Sequence, residues 1–317
     1  MHVLISYLST NYAALQEHWK KYSILKNRGK RGSDRPFTGE LGGMVELVHW
    51  ESKSVVWQME VESPAGFYHD GQAGILYVNS IRKGKILAIS MSDKEIISTI
   101  DNPYFNKPHS LVRTVNGFLV SSTGIDAIVE VDIRGETLFS MFFTDRGYSF
   151  DQVGNKRVID KDVNHQGVEY PSLHQTTHVN YARYLDNSET QIVATLFHTG
   201  ELVVVDKTTQ TSTVKLSGLK NPHNFKTAGE QFLLCNTCGN TVFVLDKGFS
   251  ISRVVQFDRW VPWIQDAIWI PQTDTILVAD ADSNKIVEVN SLNKIVDEYQ
   301  FSKHNRIYNI CQLGGVE

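Results

Sequence analysis

The phrase Lys107-Pro108-His109-Ser110-Leu111-Val112 returns at Asn221-Pro222-His223-Asn224-Phe225, and each copy leads into the same succession of turns and short apolar runs. After His109 come the Asn116-Gly117 turn, the run 118–121, a turn at Gly124 and Ala127-Ile128-Val129-Glu130-Val131-Asp132. After His223 come Gly229-Glu230, the run 231–235, Gly239-Asn240 and Thr241-Val242-Phe243-Val244-Leu245-Asp246. A repeat of this size is one supersecondary unit that buries its apolar faces only by stacking on copies of itself. The repeat therefore constrains the fold more than any other property of the chain.

Four further copies follow the same frame, anchored at His69, His178, Asp266 and Asn309. The anchors are separated by 40, 69, 45, 43 and 43 residues. A period of about 40–45 residues carrying four strands predicts a β-propeller blade, and the long step implies about 25–30 inserted residues. The last copy reaches the C-terminus with no strands left to follow it, so 2–8, 44–50 and 55–61 are expected to complete the blade that 306–311 begins. The expected fold is all-β, a six-bladed β-propeller closed by pairing of the N- and C-terminal strands. It forms a single domain over residues 1–317 with insertions at about 9–42 and 144–173.

The runs alternate β-branched and polar residues between Gly, Asn and Asp turns, as half-buried strands do. Pro64, Pro103, Pro108, Pro171, Pro222 and Pro262 precede the anchors, where the missing proline N–H costs no ladder bond. In the first insertion Tyr12, Leu15, Trp19, Tyr22 and Leu25 recur at helical spacing, which predicts a short amphipathic helix ending before a loop at 28–34. Residues 144–173 are too polar for a core and too aromatic for a linker, so they are expected to form a self-packed, removable lid.

A net charge of −4 gives no footprint for nucleic acid or a membrane surface, and the basic run 26–35 reads as a solvated loop. The N-terminal apolar run is too short for a signal or a membrane span. Three cysteines give no disulfide framework, so a cytoplasmic location is expected. Cys235-Asn236-Thr237-Cys238 lacks a second pair, and Ala279-Asp280-Ala281-Asp282-Ser283-Asn284 lacks the Gly and Glu of a calcium loop; both read as turns.

If the anchors share one place in the innermost strands, they form a ring of Asn309, His69, His109, His178, His223 and Asp266. Histidine supplies 11 of 317 residues, so four histidines in six such places point to shared chemistry. Neutral imidazole favours a divalent transition metal, Zn or Fe, over Ca or Mg. His69, His109, His178 and His223 are the expected ligands, with an open position for water or substrate. Asp266 is the expected base or supporting carboxylate. Tyr308, among the aromatic residues Phe67, Tyr68, Tyr104, Phe105, Tyr170, Trp260 and Trp263, and His174, beside His165 and His304, are further candidates for substrate contact or proton transfer.

The blade phrase Pro-His-Ser, Asn-Gly-Phe-Leu-Val, Ala-Ile-Val-Glu-Val-Asp resembles the NHL-type repeat of six-bladed propellers, over residues 44–311. Within that superfamily the His ring is similar in kind to the axial zinc site of peptidyl-hydroxyglycine amidating lyases. It is also similar in count to the four iron-binding histidines of the seven-bladed carotenoid oxygenases. Only Asp266 and Asn309 match the style of the gluconolactonase-like propellers. No one family's full pattern is present, so the resemblance carries over no reaction; the His ring and the aromatic residues leading into it predict a metal-dependent enzyme of lyase, hydrolase or oxygenase type acting on a small, partly aromatic or apolar molecule. The alternative is a non-catalytic propeller that serves as an interaction scaffold.

Overall fold

The structure is a computed structural model that describes residues 1–22, 33–257 and 261–313. Leu25, Trp260 and most of the basic run 26–35 lie outside the described residues. The strands run in chain order as β1 (His2–Ser9), β2 (Met44–His49), β3 (Ser54–Glu60), β4 (Pro64–Asp70), β5 (Ile75–Ser80), β6 (Lys85–Ser90), β7 (Glu95–Asp101) and β8 (Pro108–Arg113). They continue as β9 (Gly117–Ser122), β10 (Ala127–Asp132), β11 (Thr137–Phe142), β12 (Val179–Tyr184), β13 (Gln191–Leu196), β14 (Glu201–Asp206), β15 (Ser212–Leu216) and β16 (Pro222–Ala228). The last eight are β17 (Gln231–Asn236), β18 (Thr241–Leu245), β19 (Ile251–Gln256), β20 (Ile264–Ile270), β21 (Thr275–Asp280), β22 (Lys285–Val289), β23 (Ile295–Gln300) and β24 (Arg306–Leu313).

These strands make six four-stranded sheets, the blades of a β-propeller. Five blades are consecutive in sequence. The sixth has the order β24-β1-β2-β3, so it is closed by the two ends of the chain, with Leu4 opposite Cys311 and Ile5 opposite Ile310. Burial falls from the middle of each blade to its outer edge. All six residues of β9 and all six of β21 are buried, whereas β3 has no buried residue and β7 only one. Strands covered on both faces therefore read as near-continuous apolar runs, while the outermost strands carry the charges and hydroxyls that discourage edge pairing.

The chain divides into two compact units. The first comprises Met1–Tyr12, Leu41–Pro64 and Leu219–Glu317 and holds the terminal blade with β16–β19 and β20–β23. Its core includes Val3, Ile5, Tyr7, Ile286 and Ile310 in one cluster and Leu233, Val242, Val278 and Val287 in another. The second comprises Ala13–Glu40 and Ala65–Gly218 and holds β4–β7, β8–β11 and β12–β15, with cores around Phe105, Phe118 and Val129 and around Phe143, Ile192 and Val203.

The expected helix is α1 (Tyr12–Tyr22), and it buries Leu15. The expected lid is a wall of the second unit. Arg157 reaches the buried Asp126 carboxylate and the Gly124 carbonyl. Asn106 Nδ2 donates to the carbonyls of His165 (2.6 Å) and Val168 (2.8 Å), and the His165 N–H donates to the Pro103 carbonyl at 2.7 Å. Gly124 permits that arrangement, because a Cβ there would stand 1.7 Å from Asn106 Oδ1. Buried Ile159, His165 and Leu173 complete the attachment. The segment is polar in sequence because its polar groups hydrogen-bond to the blades, which composition alone does not reveal.

Candidate functional site

The six anchors do not share one strand position. His109 and His223 are each the second residue of their strands, whereas His69 is the sixth of the seven residues of β4 and His178 precedes β12 altogether. His178 has φ +50°, matching Lys107 at +48° and Asn221 at +54°, so it occupies the turn before the strand rather than the place of His109. Asn180 stands at the second position of β12, and its Oδ1 is 2.9 Å from His109 Nδ1. The repeat fixes the period of the blades but not the residue at which each first strand begins, and the early bulges of β8, β12, β16 and β20 recur at a similar place in each. Among the described residues no group of three or more His, Cys, Asp or Glu side chains is arranged to hold a metal ion.

In the first unit Asp266 and Asn309 do come together, around a residue that spacing did not single out. Lys226 Nζ donates to Asp266 Oδ2 (2.6 Å), Asn309 Oδ1 (2.9 Å) and the Ile310 carbonyl (2.7 Å). Asp266 is fully buried and also accepts from the backbone N–H groups of Ile310 and Ala267, both at 2.8 Å. Burial raises its pKa, and the Lys226 ammonium opposes that rise. Lys226 thus stands between two of the expected ring residues, Asp266 and Asn309. Tyr308, beside it in β24, has a phenol pushed well above its ordinary value by burial and by the Asp266 charge. In the same unit His223 Nδ1 lies 2.7 Å from Thr237 Oγ1 and 3.2 Å from the Asn221 carbonyl, with its ring against Trp263.

In the second unit His174 pairs with Asp151 at 2.9 Å, partly exposed on the insertion. Burial disfavours the Asp151 carboxylate, but His174 and the backbone of Asn155 and Val153 outweigh it and lower its pKa. His165 is tied to the Asp160 carbonyl and to Tyr170 Oη, so it is a buried strut. Tyr104 Oη donates to the Lys161 carbonyl, so both Tyr104 and Tyr170 help to hold the insertion.

His109 and His178 meet in this unit, at a cavity of about 140 Å³. Their ring centres are 5.2 Å apart, and His198 lies 5.1 Å beyond His178. Three segments line the cavity: the starts of β8 and β12 with Lys107, His109, Gln175 and His178; the first insertion with His18, Trp19, Arg35 and Phe37; and Pro171-Ser172 of the second insertion. Ser33 fastens the first insertion, since its N–H donates to Ser172 Oγ at 2.9 Å and its hydroxyl to the Arg35 carbonyl at 2.7 Å. The Asp126 carboxylate fixes the other wall by accepting from the N–H groups of Thr176, Thr177 and His178 at 2.8–2.9 Å.

The electrostatics of this cavity are lopsided. Arg35 and Lys107 line it and no Asp or Glu does. Burial, opposed by the hydrogen bond to Asn180 and reinforced by the nearby Lys107 charge, holds His109 at about 4. His109 is therefore neutral at pH 7. With Asn180 Oδ1 as the acceptor, the ring proton is on Nδ1 and the lone pair on Nε2. His18, His198, Arg35 and Gln175 were missed by sequence spacing because they come from insertions and turns outside the repeat. The histidine on the apolar face of the first-insertion helix, one residue before Trp19, was the available signal.

No protein-family profile matches the chain, and no curated protein matches it. Solved structures do. A chain in a nidogen/laminin complex aligns over 85% of this chain and 94% of its own length at TM-score 0.59 and 12% identity. A Bacteroides caccae protein of unknown function covers 98% and 97% at TM-score 0.57 and 14% identity. A catalytically inactive histidine-to-alanine variant of virginiamycin B lyase from Staphylococcus aureus, solved with quinupristin, covers 75% and 70% at TM-score 0.50 and 10% identity. At such identities the likeness is one of propeller fold.

Proposed function

We propose that this chain is an enzyme acting on a small, partly aromatic or apolar molecule held in the His109–His178 cavity. His109 Nε2 would accept a proton from the bound molecule, as in a lyase. The observation that carries this reading is the convergence of a neutral, oriented imidazole, two cations and the aromatic residues Trp19 and Phe37 on one cavity. A bound anion would favour the imidazolium and so raise the basicity of His109 when substrate is present. The lyase among the structural neighbours, inactive after loss of one histidine, supports the reaction class at the level of fold. The buried thiol of Cys235 fits a cytoplasmic, reducing location, and no described helix is long and apolar enough to cross a membrane.

A second reading keeps Zn or Fe, with His109 and His178, which meet edge to face with ring centres 5.2 Å apart, as two of its donors and the substrate or water completing the shell. Elemental analysis of untagged protein grown with Fe, Zn, Mn and Cu decides between them. About one equivalent, lost in both His109→Ala and His178→Ala, supports the metal. Below about a tenth of an equivalent, the metal-free reading stands. Ligand-observed NMR with a mixed panel of single-ring compounds tests the site itself. Hits abolished by His109→Ala and Phe37→Ala support a small-molecule site, and hits unaffected by both, or none, favour the interaction scaffold.

A further inference from the structure

The two cations and the size of the cavity narrow the ligand class. Resting on the small-molecule reading above, we infer that the cavity takes a single-ring organic acid, its carboxylate held by Arg35 and Lys107 and its ring against Phe37 and Trp19. Arg35 carries the clearest signal. Its guanidinium lies over the Tyr22 ring, 5.2 Å from the centre, and makes no hydrogen bond or ion pair among the described residues, while its backbone is pinned through Ser33. A planar fork of donors held in this way matches a carboxylate in two parallel hydrogen bonds. Lys107 is anchored by the Tyr170 carbonyl at 2.8 Å and by Glu169 at 3.1 Å, which offsets part of its charge, so Lys107 acts as a fixed donor beside Arg35.

Size is the second constraint. An apolar cavity of about 150 Å³ admits benzene, so about 140 Å³ accommodates one ring. The lining provides aromatic and proline surface for that ring in Trp19, Pro36, Phe37 and Pro171. It provides no carboxylate to balance a cationic ligand. Neutral His109 supplies a lone pair beside the acid without adding a third positive charge.

Isothermal titration of the full chain with benzoate, benzamide and inorganic phosphate tests the inference, because benzoate and benzamide share shape and differ in charge. Benzoate is expected to bind at least tenfold more tightly than benzamide. Arg35→Gln and Lys107→Gln should each weaken benzoate about threefold or more and leave benzamide unchanged. Arg35 is exposed, so the first variant does not threaten folding and keeps the test valid if the second is unstable. Equal binding of benzamide and benzoate, or benzoate binding unmoved by Arg35→Gln, overturns the acid while leaving a small-molecule site. Phosphate binding without benzoate binding overturns the organic acid in favour of a phosphate. If no single-ring compound of the NMR panel binds either, the small-molecule reading itself fails.

Discussion

Replacing Lys226 with Met should be among the most destabilising single changes in the first unit. Lys226→Met conserves much of the stem but removes the ammonium that lies 2.6 Å from Asp266 Oδ2, leaving a fully buried carboxylate without its counter-charge. It also removes the donor to Asn309 Oδ1 and to the Ile310 carbonyl. Breaking one side of a buried pair costs about 3–5 kcal/mol. A single transition over a chain of 317 residues has an unfolding entropy of roughly 0.7 kcal/mol/K, so the melting temperature should fall by about 4–8 °C. The loss should depend on pH. Asp266 already has a raised folded-state pKa from burial, so the folded state binds the extra proton and stability falls as pH rises from the unfolded value through the folded one. Removing the ammonium raises that pKa further, so the deficit should be smallest in acid and largest above neutrality. Scanning calorimetry at pH 5 and pH 8 measures both effects. Lys226→Met/Asp266→Asn should recover part of the loss at pH 8. A deficit under about 1 kcal/mol, or one independent of pH and unrelieved by the second change, would refute the buried-pair argument.

Deleting residues 303–313 removes β24 and exposes one side of β1, so the protein should become insoluble or lose its cooperative transition, and an unchanged melting curve would contradict the closure of the terminal blade. Arg157→Met should destabilise the second unit by about 3 kcal/mol, because Asp126 is buried and loses its cation; hydrogen exchange should show the faster opening at Thr176–His178, and equal protection in both proteins would show that the wall does not depend on the pair. The folded His109 titrates near 4 against about 6.5 unfolded, so the unfolded state binds more protons between those values and stability should drop as pH falls from 6.5 to 4; His109→Asn should flatten that limb, and an unchanged profile would show that His109 is not held neutral.

The blades were legible because period and alternation are properties of every strand at once: a misread residue at one start does not move the count. Closure was legible for a related reason, since the last copy lacked strands and the first residues lacked a partner. The site was less so. His69 lies four residues further along its strand than His109 does along its own, and periodicity alone does not register where each strand begins. Lys226 carries no local signal in the sequence, because its acceptors lie 40 and 83 residues away. His109 was found for its place in the repeated phrase. Arg35 and His18 come from an insertion whose docking depends on Ser33 and Ser172, residues 139 positions apart.

The most direct measurement is a crystal soaked with a panel of single-ring acids and amides and refined for density in the second unit. Bound acid between Phe37 and His109, with its carboxylate toward Arg35 and Lys107, is the expected result. An empty His109–His178 cavity, with density elsewhere on the chain, would contradict the assignment of this cavity as the functional site.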